Sequence, residues 1–302
     1  MKTTVPTIRL RSGIALAACV LFSASLASTD PGHYPWLPAY DATQTLCRRV
    51  PPPEGYDRED VAVDGFAAWL RGLPIKPGRP PVLLHDGRRK ANQDAHVAVV
   101  DIDVGRADLQ QCADAVIRLR AEYLYAAGRS EEIRFHFTSG DEARFSRWAQ
   151  GYRPRVRGSN VRWIRSKPPD ASRSSFRRYL DVVFTYAGTR SLERELCAVP
   201  DSNKLRVGDV FIQGGFPGHA VLVVDAAVRR RDGRTAFLLA QSYMPAQEIH
   251  ILKNPENPRL SPWYALDFGA VLVTPEWIFR SSDLRRFCDE EGPQAITGSR
   301  TD

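Results

Sequence analysis

The chain lacks the short motifs that mark several large enzyme classes. It has no His-Glu-x-x-His, no P-loop, no Gly-x-Ser-x-Gly and no dinucleotide-binding glycine fingerprint. These absences argue against a helix-borne zinc peptidase, a P-loop nucleotide hydrolase, a serine hydrolase with a nucleophile elbow and a Rossmann-type oxidoreductase. No Cys-x-x-Cys occurs and no Cys/His spacing fits a structural zinc site, so no metal and no cofactor are expected. There is no internal repeat. Past the first residues, no segment is apolar enough to cross a membrane.

What is present begins with an export pattern. Lys2, Arg9 and Arg11 form a basic start, and residues 13–27 are uncharged and mostly apolar. Ser25 and Ala27 are small residues at the places a signal peptidase reads, so cleavage is expected after Ala27. A retained anchor is one alternative, although the run is short for a bilayer. Lipidation at Cys19, after Leu16-Ala17-Ala18, is another, but the apolar run continues well past that cysteine. The expectation is a periplasmic or secreted protein with no stable membrane span after processing. Lipoprotein anchoring is the less favoured form.

Cleavage there leaves about 275 residues, with an apolar content of 43% and a charged content of 25% over the whole chain, as in ordinary globular domains. The net charge of +7 reads as a solubilising surface, and export argues against a nucleic-acid partner. Cys47, Cys112, Cys197 and Cys288 remain after processing. Outside the cytoplasm cysteines tend to pair, and four allow three complete pairings. Cys47 and Cys288 flank the folded region, so a bond between them is the preferred expectation. Oligomeric state is not legible.

The organisation reads as an extended surface segment over 28–59, one domain over 60–288 and a disordered tail over 289–302. Residues 64–72 suggest a short helix, 82–85 a strand and 96–104 another. Asp108 and Gln111 have the spacing of a capping box, and Leu109, Cys112, Val116, Leu119 and Tyr123 recur at helical spacing, which predicts a helix from Asp108 to about Tyr125. Arg118, Arg120 and Glu122 on it suit ion pairs. Residues 133–138 read as a strand and 142–150 as a short helix. Residues 153–175 are basic, with Pro, Ser and Gly, and read as a long loop. Helices are expected over 176–184 and 191–197. Strands follow at 207–213, 219–225, 236–241, 248–252 and 270–274, with a turn at Asp232-Gly233. The order implies an α+β fold in which a Cys-bearing helix packs on a C-terminal antiparallel sheet.

Cys112, His219 and Gln241 could work together. A thiol hydrolase needs a thiolate, a base that makes it and a polar group that orients the base. A helix N-terminus lowers a cysteine pKa, and Cys112 lies in the first turn of its predicted helix. His219 opens a strand just after Gly214, Gly215 and Gly218, where glycines let a substrate backbone approach. Gln241 ends the next strand and could fix the imidazole tautomer. Gln111 or Gln110 could supply an oxyanion donor, and Ser242 and Tyr243 complete the candidate substrate surface. Cys112 also lies on the apolar stripe of its helix, where a small buried thiol is common. His96 is a further possible partner for it.

The order helix-borne Cys, strand-borne His, polar residue on the next strand resembles the papain-like cysteine peptidases. Gly218-His219-Ala220-Val221-Leu222-Val223 is similar to their His strand, and Leu239-Ala240-Gln241-Ser242-Tyr243 to their Asn-Ser-Trp strand, with Gln and Tyr substituted. Leu205-Arg206-Val207-Gly208-Asp209-Val210-Phe211 resembles the Gly-Asp strand of NlpC-type cell-wall enzymes. Ala113 stands where an aromatic usually follows the cysteine. More closely, residues 60–275 resemble a secreted bacterial family described only as a domain of unknown function, DUF4846. The blocks that carry this are 108–114, 118–124, Tyr186-Ala187-Gly188-Thr189, 208–212, 217–221 and 240–247. The papain-like resemblance implies a thiol hydrolase or transferase acting on amide bonds, with a peptide or cell-envelope substrate. The alternatives are a non-catalytic peptide- or glycan-binding module on the same fold, and a structural envelope protein with all its cysteines paired.

Overall fold

The computed structural model describes residues 34–288. The expected signal peptide, Cys19 and the expected tail lie outside them. The fold is α+β, and its main element is an antiparallel sheet. Its strands lie in the order His96–Val99, His250–Leu252, Thr235–Gln241, His219–Arg229, Val210–Gln213, Leu284–Arg286 and Cys197–Ala198. Tyr56–Arg58 also pairs with His219–Arg229, and Tyr264–Ala265 with Thr235–Gln241. No described helix is long and apolar enough to cross a membrane.

His219–Arg229 is the axis of the molecule. Its sequence, HAVLVVDAAV, is a nearly unbroken apolar run because both of its faces are covered. Ala220, Leu222 and Val224 join the larger core, with Val116, Leu119 and Tyr123 of the Cys112–Ala126 helix. Val221 and Val223 face a second core with Phe211, Phe237, Leu239 and Phe279. The helix is buried along almost its whole length, so its charged residues need internal partners. Arg118 Nε donates to Glu122 Oε1 at 2.7 Å, and Arg173 pairs with the same carboxylate. Asp225, fully buried in the axial strand, accepts from Arg58 Nε and Arg71 Nε, each at 2.6 Å.

Several expectations are corrected. The 28–59 segment is no mere surface wrap: Tyr34 and Leu46 are buried, Leu46–Arg49 is helical and Tyr56–Arg58 joins the sheet. Residues 82–85 make only isolated bridges, Leu83 with Arg89 and Leu84 with Gln247. The long loop over 153–175 is instead a hairpin, Tyr152–Arg157 with Asn160–Arg165, followed by a helix from Arg173 to Tyr186. The disulfide joins Cys197 to Cys288, not Cys47 to Cys288. Arg286 is in register with Cys197, which brings the two Cα atoms to 5.2 Å. Cys47 and Cys112 are free thiols.

Candidate active site

The Cys112–Ala126 helix begins at the cysteine itself, three residues later than an Asp108 cap implies. Gln111 is the cap residue, and its backbone N–H donates to Asp114 Oδ2 at 3.0 Å. Asp108, the expected cap, accepts instead from the backbone N–H of Ala246 at 2.6 Å and the Gln111 amide at 3.1 Å. It therefore ties the helix entrance to the loop after Gln241.

Cys112 sits at the wall of a cleft of about 680 Å³, with Gln111, Asp114, Thr189, Gly215 and Gly218 among its lining. Phe216 and Met244 stand exposed at its edge. Cys112 is itself only 5% exposed. Burial first, and then the Asp114 carboxylate, push its pKa up to about 11. Backbone hydrogen bonds from Ala113 and Ala220 pull the other way and lose. The depressed thiol expected from the helix start is therefore absent in the resting protein. Asp114 is buried with Oδ1 lacking a partner, and desolvation pushes its pKa up to about 8.

His219 and Gln241 are brought together. His219 Nε2 lies 2.9 Å from Gln241 Oε1. The Gln241 amide nitrogen donates to Glu276 Oε2 at 2.7 Å and faces His250 Nε2 at 3.3 Å, while His250 Nδ1 meets the Glu248 carbonyl at 2.9 Å. Lys90 Nζ donates to both Glu276 oxygens, at 2.6 and 2.7 Å. A carboxylate only accepts, so the amide nitrogen of Gln241 must face Glu276 and its oxygen must face His219. His219 then carries its proton on Nε2, and Nδ1 keeps a lone pair. That Nδ1 is buried and has no hydrogen-bond partner among the described residues. Burial pushes the His219 pKa down to about 4, against the Gln241 bond that raises it. Tyr243, Trp277 and Phe279 surround the ring, with centroids 4.8, 5.2 and 5.9 Å away.

The thiol and the imidazole are not hydrogen-bonded. The backbone hydrogen bond from Ala220 holds Cys112 one residue along from His219. Strand alternation sends Ala220 to the helix side and His219 to the aromatic side. The two groups thus flank the first peptide of the axial strand. His96 bonds elsewhere: its Nε2 lies 2.9 Å from the Pro80 carbonyl.

The glycines serve loop packing. A side chain at Gly214 would meet Glu193 Oε2 at 2.5 Å, and one at Gly218 would meet Thr189 Oγ1 at 2.5 Å. Gly215 and Gly218 line the cleft, whereas Gly214 is absent from its lining. Ser242 is fully buried and donates to the carbonyls of Gln110 and Gln247, a structural role that leaves no hydroxyl proton for a substrate. Tyr243 covers His219 and lies under Lys90. Sequence reasoning missed Asp114, Lys90, His250 and Glu276. Only Asp114 had a signal, as the acid three residues after the true cap. Among the described residues, no group of three or more His, Cys, Asp or Glu could hold a metal ion.

No curated protein and no solved structure matches this chain. The family model for a domain of unknown function, DUF4846, matches residues 46–286, and the chain belongs to that family.

Proposed function

We propose that this protein is a papain-like thiol hydrolase or transferase acting on amide bonds. The observation that carries the reading is the buried Nδ1 of His219, without a partner among the described residues, held as a lone pair by the Gln241–Glu276 chain one residue along from Ala220, whose backbone bonds Cys112. Cys112 is the nucleophile, His219 the base and Gln241 the orienting group. With the thiol pKa up and the imidazole pKa down, the pair rests uncharged. Catalytic hydrogen bonds are often unmade before substrate binds.

In the reaction, Nδ1 takes the thiol proton as sulfur attacks the carbonyl carbon. The free N–H groups at the helix start and the Gln111 amide stabilise the oxyanion. Collapse breaks the C–N bond, and the amine leaves with the proton from Nδ1. Water or a second amine then resolves the thioester. The open cleft with Phe216 and Met244 at its edge suits a peptide with an apolar side chain, such as an envelope peptide. The same proposal places the protein outside the cytoplasm. The Cys197–Cys288 bond and the N-terminal export pattern support that.

A second reading, a peptide- or glycan-binding cleft without chemistry, is favoured by the raised thiol pKa. The test is the iodoacetamide rate of Cys112 at pH 7, measured in a Cys47→Ser background. The catalytic reading expects His219→Ala and His219→Asn both to slow labelling by roughly tenfold or more, the scale of a lost general base. Equal rates in all three proteins, or no labelling in any, would reject catalysis in favour of the binding reading.

A further inference from the structure

The hairpin Tyr152–Arg157 and Asn160–Arg165 stands apart from the main sheet and pairs only with itself. Strand alternation gives it two unlike faces. Val156, Val161 and Trp163 are half-buried, and the last two pack against the larger core, where Trp163 stacks on Phe137. The other face carries Arg155, Arg157, Asn160, Arg162 and Ile164, all exposed, which together line a hollow of about 440 Å³.

Arg155 and Arg162 are direct cross-strand partners. Like charges in that position destabilise a sheet. Among the described residues, no carboxylate pairs with Arg155, Arg157 or Arg162. The local sequence supplies none: residues 153–169 hold six Arg and Lys and no Asp or Glu. Folding alone does not account for three uncompensated guanidinium groups converging on one hollow.

We propose that this face binds anionic phospholipid headgroups at a membrane surface. Guanidinium groups match phosphate geometry, and clustered basic residues are drawn to anionic leaflets. Ile164, 39% exposed on the same face, provides the apolar contact that a lipid interface accepts and that a soluble anion does not need. The site is independent of the thiol chemistry proposed above.

The test is co-sedimentation of the folded chain with vesicles of phosphatidylglycerol and phosphatidylcholine in equal parts, against phosphatidylcholine alone. Binding is expected only to the anionic vesicles, and to fall as salt is raised. The Arg155→Gln/Arg162→Gln pair should weaken it by roughly tenfold or more. Arg162→Glu should also abolish it while leaving the melting temperature unchanged or higher, because Glu faces Arg155 directly. The proposal is overturned if the chain ignores anionic vesicles, if the variants bind as the wild type does, or if soluble tripolyphosphate binds this face and vesicles do not.

Discussion

The amide nitrogen of Gln241 donates to Oε2 of Glu276 at 2.7 Å, and this bond decides which way Gln241 faces His219. Glu276→Gln removes the obligatory acceptor and lets the Gln241 amide turn over. It also strands Lys90, which is 5% exposed. Loss of one partner of a buried ion pair costs about 3–5 kcal/mol. Denaturant unfolding should show a loss of that order, and adding Lys90→Met should recover part of it. Nitrogen NMR of His219 should show one tautomer in the wild type and a mixture in the variant.

Stability should pass through a maximum near neutral pH. His219 and His250 have pKa values pushed down by burial to about 4 and about 3 in the folded protein, from 6.5. The unfolded chain therefore binds more protons, and their contribution is full above 6.5 and lost as pH falls toward those values. Asp114 has the opposite sign. Its folded pKa of about 8 lies above 3.8, so its contribution is full below 3.8 and lost as pH rises through 8. Asp114→Asn should flatten the decline between pH 6.5 and 8 in a series of unfolding curves and steepen the acid limb, where Asp114 opposes the two histidines.

Glu122, fully buried, pairs with Arg118 and with the partly exposed Arg173. Arg118 is fully buried, and Glu122→Gln leaves it with only Gln110 and the more distant Asp103. A loss of about 3 kcal/mol or more is expected in urea unfolding, since an uncompensated buried charge is costly. An equally stable variant would show that water or a rearranged Asp103 takes over the charge.

The Cys197–Cys288 bond closes a loop of sequence separation 91. Cys288→Ser should lower stability by about 2–4 kcal/mol. Dithiothreitol should lower the melting temperature of the wild type to that of the variant and leave the variant unmoved.

Much of this was legible where one residue pattern had one physical meaning. The axial strand reads as a strand because its apolar run is broken only by Asp225. The central helix reads from its periodicity. Its start was misread because Asp108 and Gln111 mimic a capping box, while the working pair is Gln111 and Asp114. The hairpin was missed because Pro154, Gly158 and the many arginines look like a loop, although Val156, Val161 and Trp163 carry the two-residue alternation. His219 and Gln241 were found together because one hairpin joins their strands. Glu276 and Lys90 could not be found this way, since they reach Gln241 from segments distant in sequence. The thiol pKa depends on burial, which only the packed structure reveals.

The strand Leu284–Arg286 lies between Val210–Gln213 and Cys197–Ala198. These two neighbours leave the ribosome long before the strand that separates them. A nascent chain stopped between Gln213 and Leu284 therefore carries a bare strand edge at Val210–Gln213, a surface open to other chains. Completion of the sheet must therefore wait for synthesis to pass Arg286, although both strands that flank the last one are made about 70 to 90 residues earlier.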